Sequence, residues 1–164
     1  MKVNFELEQS EESIFERKEF EHEIRLGDDK FYHVLRDGQP YLRVEVDLKK
    51  LFDTAIIYYH YLLIGTYVEV YFINLWNLQV TKIDVNMYFG YFVTTPDAVC
   101  ILDGTGIIAF DAHLNEKWKI HGIAIDGVVF KEIIDNRIMK ISCQDLPERW
   151  YDLKIDIRSG NIVL

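Results

Sequence analysis

The sequence contains few of the residues that are typical of flexible linkers between domains. Its 164 residues include 3 prolines, 9 glycines and only four serines, at positions 10, 13, 142 and 159. No stretch is rich in Pro, Gly or Ser, so no flexible linker between separate units is predicted. A chain of this length is long enough for one domain with a substantial core. We predict a single β domain over residues 1–164, with a subdivision near residues 49–55 as the alternative.

Cysteine is equally scarce. Cys100 and Cys143 are the two cysteines, and each lies inside an apolar, strand-like run, AVCILD and MKISCQD. Neither has a CxxC companion or a nearby His at metal spacing, and the five histidines form no HExxH motif. We predict two reduced, buried thiols in a cytoplasmic protein and no bound metal. A disulfide between neighbouring strands is the alternative.

Positive charge is in short supply. The chain has 18 Lys and Arg against 27 Asp and Glu, a net charge of −9. Residues 1–29 contain ten acidic and four basic residues, so this segment alone contributes −6. No basic patch is visible, which argues against nucleic-acid binding. An acidic surface attracts basic partners, and we expect a basic protein partner, with simple solubility as the alternative explanation.

Long apolar runs are missing as well. The longest, Ala55 to Ile64, is interrupted by His60 and is half the length that a membrane-spanning helix needs. The first ten residues, MKVNFELEQS, have neither the apolar stretch nor the cleavage site of a signal peptide. No membrane or secretion role is expected.

Alternating and aromatic segments are abundant. KVNFELE and EFEHEIRL alternate apolar and polar residues, and FYHVLR and YLRVEVDL read as two strands around the Asp37-Gly38 turn. Such turn signals recur about every ten residues. This spacing predicts an all-β fold, an antiparallel meander of hairpins that forms a sandwich or an incomplete propeller-like domain. At most one or two short helices are expected, and the candidate segments are residues 10–20 and 48–53.

A hairpin signal spans Gly104 to Lys119, in GTGIIAFDAHLNEKWK. Ile107 and Ala109 are predicted on one face and Ile108 and Phe110 on the other, with Asp111 bonding the tip and Trp118 packing back on the sheet. A weak copy follows 45 residues later. In it, Asp156 and Gly160 correspond to Asp111 and Asn115.

This unit resembles a blade of the pyrroloquinoline-quinone-like β-propellers over residues 66–164, because Gly106, Ala109, Asp111 and Trp118 match the blade pattern loosely. The resemblance implies a structural hairpin of a propeller-type fold. It does not extend to quinone binding or dehydrogenase activity, and no cofactor is expected.

No catalytic motif is present. GxSxG and phosphate-loop patterns are absent, and both cysteines sit in strand-like runs rather than at a helix N-terminus. Carboxylates near strand ends allow a hydrolytic pair in principle, but Asp at a β-turn is expected for local hydrogen bonding. These carboxylates are Asp103, Asp111, Asp126, Asp135 and Asp145. We predict a protein that is not an enzyme.

Three functions remain open. We favour a non-catalytic, cytoplasmic protein-binding domain, such as an immunity-type protein that neutralises a basic toxin. A self-associating structural β module is the first alternative. The second is a carbohydrate-binding or hydrolytic β domain that uses turn carboxylates and a tyrosine-rich face. The sequence does not indicate the oligomeric state. The predicted partner-binding residues are Glu16, Glu19, Glu21, Glu23, Asp28, Asp29, Tyr67 and Tyr71.

Overall fold

The computed structural model describes residues 3–8, 19–47 and 54–163 and contains four sheets of four strands each. The first sheet contains β1 (Phe5–Glu8), β2 (His22–Arg25), β3 (Lys30–Arg36) and β4 (Gln39–Val46). The second contains β5 (Thr54–Tyr58), β6 (Tyr61–Gly65), β7 (Glu69–Asn74) and β8 (Val80–Asp84). The third contains β9 (Phe89–Thr95), β10 (Ala98–Asp103), β11 (Ile107–Phe110) and β12 (Glu116–Ile120). The fourth contains β13 (Val128–Ile134), β14 (Ile138–Leu146), β15 (Arg149–Asp156) and β16 (Ile162–Val163).

The all-β prediction is confirmed. The described ranges contain no helix, and so no helix that is long and apolar enough to cross a membrane. Both predicted helical segments fall largely or wholly on residues outside the described ranges.

Three of the sheets are simple meanders. In the second, third and fourth sheets, each strand pairs antiparallel with the next strand along the chain. The first sheet has the order β1-β3-β4-β2, and its edge strand β2 runs parallel to β4. The first sheet therefore draws its two edge strands from the acidic segment at the start of the chain.

The four sheets follow one another in chain order, and an apolar cluster lies between each consecutive pair. One joins the first and second sheets around Val34, Leu42 and Leu62, and the next joins the second and third around Leu63 and Ile101. The last joins the third and fourth sheets. The strands β1, β5, β9 and β13 contact one another in succession along one edge of this stack. This is the arrangement of an incomplete propeller, in which sheets fan out from a line of inner strands.

The predicted hairpin of the third sheet is confirmed. Ile107 and Ala109 lie in the cluster with the fourth sheet, whereas Ile108 and Phe110 lie in the cluster with the second. The Trp118 indole N–H donates to the Ile157 carbonyl at 2.8 Å, and its ring fills the space beside Gly160. Trp118 thus attaches the last strand of the third sheet to the fourth sheet.

The 45-residue repeat corresponds to equivalent turns in neighbouring sheets. The Asp111 carboxylate accepts the His113 and Asn115 backbone N–H groups at 2.8 and 2.9 Å. In the next sheet, the Asp156 carboxylate accepts the Arg158 N–H at 2.9 Å. The pKa of both carboxyls is lowered, at Asp111 mainly by the hydrogen bond from the Asn115 side chain and at Asp156 mainly by the hydrogen bonds from the Arg137 side chain. The backbone N–H groups lower both pKa values further. The left-handed residue of the first turn is Leu114, with φ 62°.

The apolar run from Thr54 to Gly65 contains a turn that its sequence does not signal. The structure divides it into β5 and β6, with Tyr59 at φ 55° in the turn between them. The Tyr59 hydroxyl donates to the Pro96 carbonyl at 2.5 Å, and the Tyr58 hydroxyl donates to the Thr95 carbonyl at 3.2 Å. Contacts with the third sheet therefore help to fix this turn.

Both cysteines are free and buried, and burial is the main reason that the pKa of Cys100 rises to about 12 and that of Cys143 to about 11. Because the thiolate is the reactive form, we expect native protein at pH 8 to react with a thiol reagent at least a hundredfold more slowly than urea-unfolded protein. Time-resolved labelling measures both rates. Reaction of either native thiol at the rate of free cysteine would contradict this expectation.

Candidate functional site

The turns and loops that connect the strands lie at the two ends of the stack of sheets. At one end lie the turns at residues 59–60, 75–79, 96–97, 111–115 and 135–137, which we call the turn end. At the other end lie the loops that pass from sheet to sheet, at residues 85–88 and 121–127, which we call the crossover end. The crossover end also contains the loop around Tyr67 and the turn that joins β14 to β15.

A buried carboxylate organises the crossover end. Asp103 is 1% exposed, and its Oδ1 accepts the Thr105 and Gly106 backbone N–H groups at 2.9 and 2.7 Å. Its Oδ2 accepts the Asn86 N–H at 3.1 Å. One side chain thus joins the β10–β11 turn to the loop between the second and third sheets. This role agrees with the predicted structural role of the turn carboxylates.

Tyr88 links three sheets across this end. Its ring stacks with that of Tyr67 at a centroid distance of 6.4 Å, and its hydroxyl donates to the Asp126 carboxylate at 3.0 Å. Burial, followed by the bond to Asp126, raises the pKa of Tyr88 to about 12, so the hydroxyl stays protonated at neutral pH. The Trp150 ring lies over Gly127, at a point where an added Cβ would be 3.3 Å from Trp150 and 3.6 Å from the Tyr88 hydroxyl.

Large apolar side chains are exposed beside these contacts. Met87 and Ile125 are 50% and 56% exposed, and Trp150 and Tyr151 are 46% and 38% exposed. The Tyr151 hydroxyl donates to the Ile123 carbonyl, which holds that ring against the loop between the third and fourth sheets. We call this set the crossover patch. Its members are Tyr67, Met87, Tyr88, Ile125, Trp150 and Tyr151.

Met87 occupies a left-handed position, with φ 62°. Such a backbone costs a residue other than glycine about 1 kcal/mol, and an exposed methionine gains little from burial in return. The loop is held in place because Gly104 has no side chain: an added Cβ would lie 3.0 Å from the Met87 Cβ and 3.1 Å from the Tyr88 ring. The fold therefore holds the Met87 backbone close to Gly104 and leaves half of the side chain exposed to solvent.

A group of carboxylates lies beside the first sheet at the same end. Asp28, Asp29 and Asp47 form the acidic cluster, in which one oxygen from each residue lies within 4.8 Å of the others. This is the one group within the described residues with the spacing of metal ligands. All three residues are exposed, and Asp47 Oδ1 already accepts the Asp28 N–H at 3.1 Å. The main effect of the cluster is a negative potential at this end.

Neighbouring charges at the crossover end are paired. Lys82 donates to Glu69 at 2.9 Å and lies 3.7 Å from Asp84. Arg149 pairs with Asp145. Each of these two cations is neutralised by an acid on its own sheet, so neither offsets the acidic cluster.

The structure distributes the predicted binding residues over several places. Asp28, Asp29 and Tyr67 lie at the crossover end. Glu21 pairs with Arg36 at 2.6 Å, and Glu23, on the edge strand β2, lies 3.6 Å from Arg43. Glu19 is exposed in the segment before β2, and Glu16 lies outside the described residues.

Tyr71 belongs to the core between the first and second sheets. It is 9% exposed, and its hydroxyl donates to Glu69 at 2.5 Å, which together with burial raises the pKa of the phenol. Alternation placed Tyr67 and Tyr71 on one face, but the loop before β7 turns Tyr67 to the end of the stack. Tyr71 is therefore not available to a partner at the surface.

The sequence indicated neither Trp150 nor Met87 as a site residue. Trp150 stands beside Tyr151 in β15, where alternation predicts that one of the two is buried, yet both are exposed. Methionine is a rare residue type in a loop, and this was the one sequence feature that could have indicated Met87 as a site residue.

Comparison with known proteins identifies the fold and no family. No protein-family model matches the sequence, and no curated protein sequence matches it either. The chain is similar to a solved structure described as a complex of KlAtg21 with the coiled-coil of AgAtg16, with a TM-score of 0.55 and 9% identity. A second similar structure, described as the eukaryotic initiation factor, has a TM-score of 0.50 and 12% identity.

The alignments cover most of this chain and part of the others. They span 83% of this chain and 49% of the first structure, and 81% of this chain and 37% of the second. This chain therefore matches about half or less of each. At these identities the likeness concerns the fold alone.

Proposed function

We propose that this protein is a non-catalytic binding domain that takes a basic protein partner on its crossover end. The observation that carries the proposal is the crossover patch, of which four aromatic and apolar side chains are exposed. Within the patch, the half-buried rings of Tyr67 and Tyr88 stack, and hydrogen bonds hold the Tyr88 and Tyr151 hydroxyls. Trp, Tyr and Met are enriched in the energetically dominant parts of protein interfaces. Rigid side chains lose little conformational entropy when a partner binds.

The acidic cluster supports a partner of positive charge. It lies beside the first sheet at the end that carries the crossover patch, and its three residues are exposed. Such an arrangement speeds association with a basic surface and makes that rate depend on salt. An immunity-type protein that neutralises a basic toxin fits this description, and a reducing, cytoplasmic location is compatible with its two free thiols.

The non-catalytic part of the proposal rests on how the reactive groups are used. The carboxylates of Asp103, Asp111 and Asp156 accept backbone N–H groups in turns. The two thiols are buried, with raised pKa values. These groups stabilise turns and cores in the described part of the chain.

Two exposed tryptophans provide a matched test. Immobilised protein is used to isolate a basic partner from cells that make it, and the affinity of the purified pair is then measured by calorimetry. We expect Trp150→Ala to weaken binding at least 30-fold, a typical loss at a dominant interface residue. Trp76, 55% exposed at the turn end, is the control, and Trp76→Ala should change affinity less than twofold. Equal losses for the two variants would contradict the proposed surface.

The same pair of proteins tests the electrostatic part. Replacing Asp28, Asp29 and Asp47 with asparagine should slow association several-fold and leave dissociation nearly unchanged. The control neutralises three exposed acids at the turn end, Asp97, Glu116 and Asp135. An association rate that depends on neither set nor on salt would rule out steering by the acidic cluster. Light scattering that shows self-association through the crossover patch would favour the structural module instead.

A further inference from the structure

A pocket at the turn end lies between the second and third sheets, far along the strands from the crossover patch. Its volume is about 200 Å³. One wall is the face of the second sheet near the β7–β8 turn, and the other is the β11–β12 turn. Pockets for drug-sized ligands measure about 300–1,000 Å³, so this one has room for a single ring-sized molecule.

Within the described residues, the lining is polar and contains no carboxylate, ammonium or guanidinium group. The described residues around the pocket include Asn74, Gln79, Thr81 and His113, and none of them is Asp, Glu, Lys or Arg. This is unusual in a chain of which 27% is charged. Amide, hydroxyl and imidazole groups recognise neutral hydroxyl groups by donating and accepting hydrogen bonds.

These groups are available to a ligand. Asn74 Oδ1 accepts the Trp76 N–H at 2.9 Å, which fixes the side chain and leaves its amide N–H groups to donate. Within the described residues, the side chains of Gln79 and Thr81 make no hydrogen bond to the protein. A polar ligand would therefore not have to displace bonds within the protein.

Two aromatic side chains contribute to the lining. Phe72 is 4% exposed, and its ring lies 5.0 Å from that of Phe110 in an edge-to-face contact. Tyr61 lines the side, with its ring 4.2 Å from the ring of His60, which in turn lies 6.5 Å from Trp76. The C–H face of a sugar ring packs on such surfaces while its hydroxyls reach the polar wall.

The wall that carries His113 is rigid. Asp111 holds the turn through bonds to the backbone of His113 and Asn115, and the Asn115 side chain adds a third bond at 3.1 Å. Leu114, which lines the pocket beside His113, stays at φ 62° as a result. A preformed site loses less entropy when it binds a ligand.

We propose that this pocket binds one uncharged sugar ring, either a free monosaccharide or the terminal residue of a glycan. The lining supplies hydrogen bonds for hydroxyl groups and aromatic side chains for the ring, and its described residues include no Lys or Arg to bind a phosphate or carboxylate. The site is independent of the partner surface at the crossover end.

Titration by NMR with methyl glycosides of glucose, galactose and mannose and with N-acetylglucosamine tests the proposal. A ligand of this size should bind with a Kd on the order of 1 mM. We expect saturable shifts at Tyr61, Asn74, Thr81 and His113 with at least one of these sugars. Glycerol should cause no saturable shift, and a sugar phosphate should bind no more tightly than its neutral parent. A larger glycan that carries the best sugar distinguishes a terminal residue from a free monosaccharide.

Thr81→Val removes one hydroxyl and keeps the β-branched shape that suits a strand. We expect affinity for the best sugar to fall about tenfold, the effect of one hydrogen bond. Thr94→Val, at an exposed position of β9 outside the pocket, is the matched control and should leave affinity unchanged. The proposal is overturned by any of three results: no saturable shift at about 50 mM sugar, an unchanged affinity in Thr81→Val, or tighter binding of the sugar phosphate.

Discussion

Replacing Phe89 with alanine is expected to lower the free energy of unfolding by about 3–5 kcal/mol. Phe89 is fully buried in the cluster between the second and third sheets, and its ring lies 4.6 Å from that of Phe92. Its backbone N–H also donates to the Tyr67 carbonyl at 2.8 Å. The alanine variant loses the transfer free energy of the ring and leaves a cavity. Urea unfolding followed by fluorescence measures the loss.

Two other variants make this result specific. Tyr91→Ala removes a ring from the same strand, but Tyr91 is 39% exposed and the loss should stay below about 1 kcal/mol. Phe89→Leu should cost about 1–2 kcal/mol, and it remains measurable if the alanine variant does not fold. A loss below 1 kcal/mol for Phe89→Ala would mean that the second and third sheets do not share this core.

Replacing Asp103 with alanine is expected to cost about 3 kcal/mol or more. The carboxylate accepts the backbone N–H groups of Asn86, Thr105 and Gly106, and its own residue is 1% exposed. Alanine leaves these donors without an acceptor, and each unsatisfied buried donor costs about 1–3 kcal/mol. Thermal and urea unfolding give the stability. Hydrogen exchange at these three amides should become faster than at amides in the first sheet.

An exposed acid at the same end serves as the control. Asp126 accepts one bond, from the Tyr88 hydroxyl, and Asp126→Ala should cost less than about 1 kcal/mol. Asp103→Asn keeps one carbonyl oxygen and should fall between these values. If Asp103→Ala and Asp126→Ala had equal effects, Asp103 would not be the residue that organises the crossover end. Because Asp103 positions the loop that carries Met87, its loss should also weaken partner binding.

Turns were predictable from the sequence where they use residues with a local preference for turns. The hairpin at Asp37-Gly38 was expected and is present. The turn between β5 and β6 contains Tyr59 and His60, which have no such preference. It is held by the hydroxyls of Tyr58 and Tyr59, which reach the third sheet 37 positions further along the chain. A contact at that separation has no signature in the local sequence.

The alternation of apolar and polar residues along the chain predicted the fold well and the candidate site poorly. It separates the two faces of a strand, but the second and third sheets have a core on each face. Tyr71 and Phe72 are neighbours in β7, and both are buried, one in each core. A tyrosine-rich face therefore does not identify a surface in this fold. Among the exposed aromatics, Tyr59 and Trp76 lie in turns, where alternation makes no prediction. Trp150 and Tyr151 lie near the start of β15, where alternation predicts that one of the two is buried, and yet both are exposed.

The order of the three clusters has a consequence for how the protein loses its structure. The second and third sheets each share two clusters, whereas the first and fourth sheets each share one. In such a linear array, stability is a sum of terms between neighbours, and opening begins at the ends. The two middle sheets form the most persistent unit. They also supply both walls of the sugar pocket and the loop of Tyr88, so local opening of an outer sheet leaves these features in place.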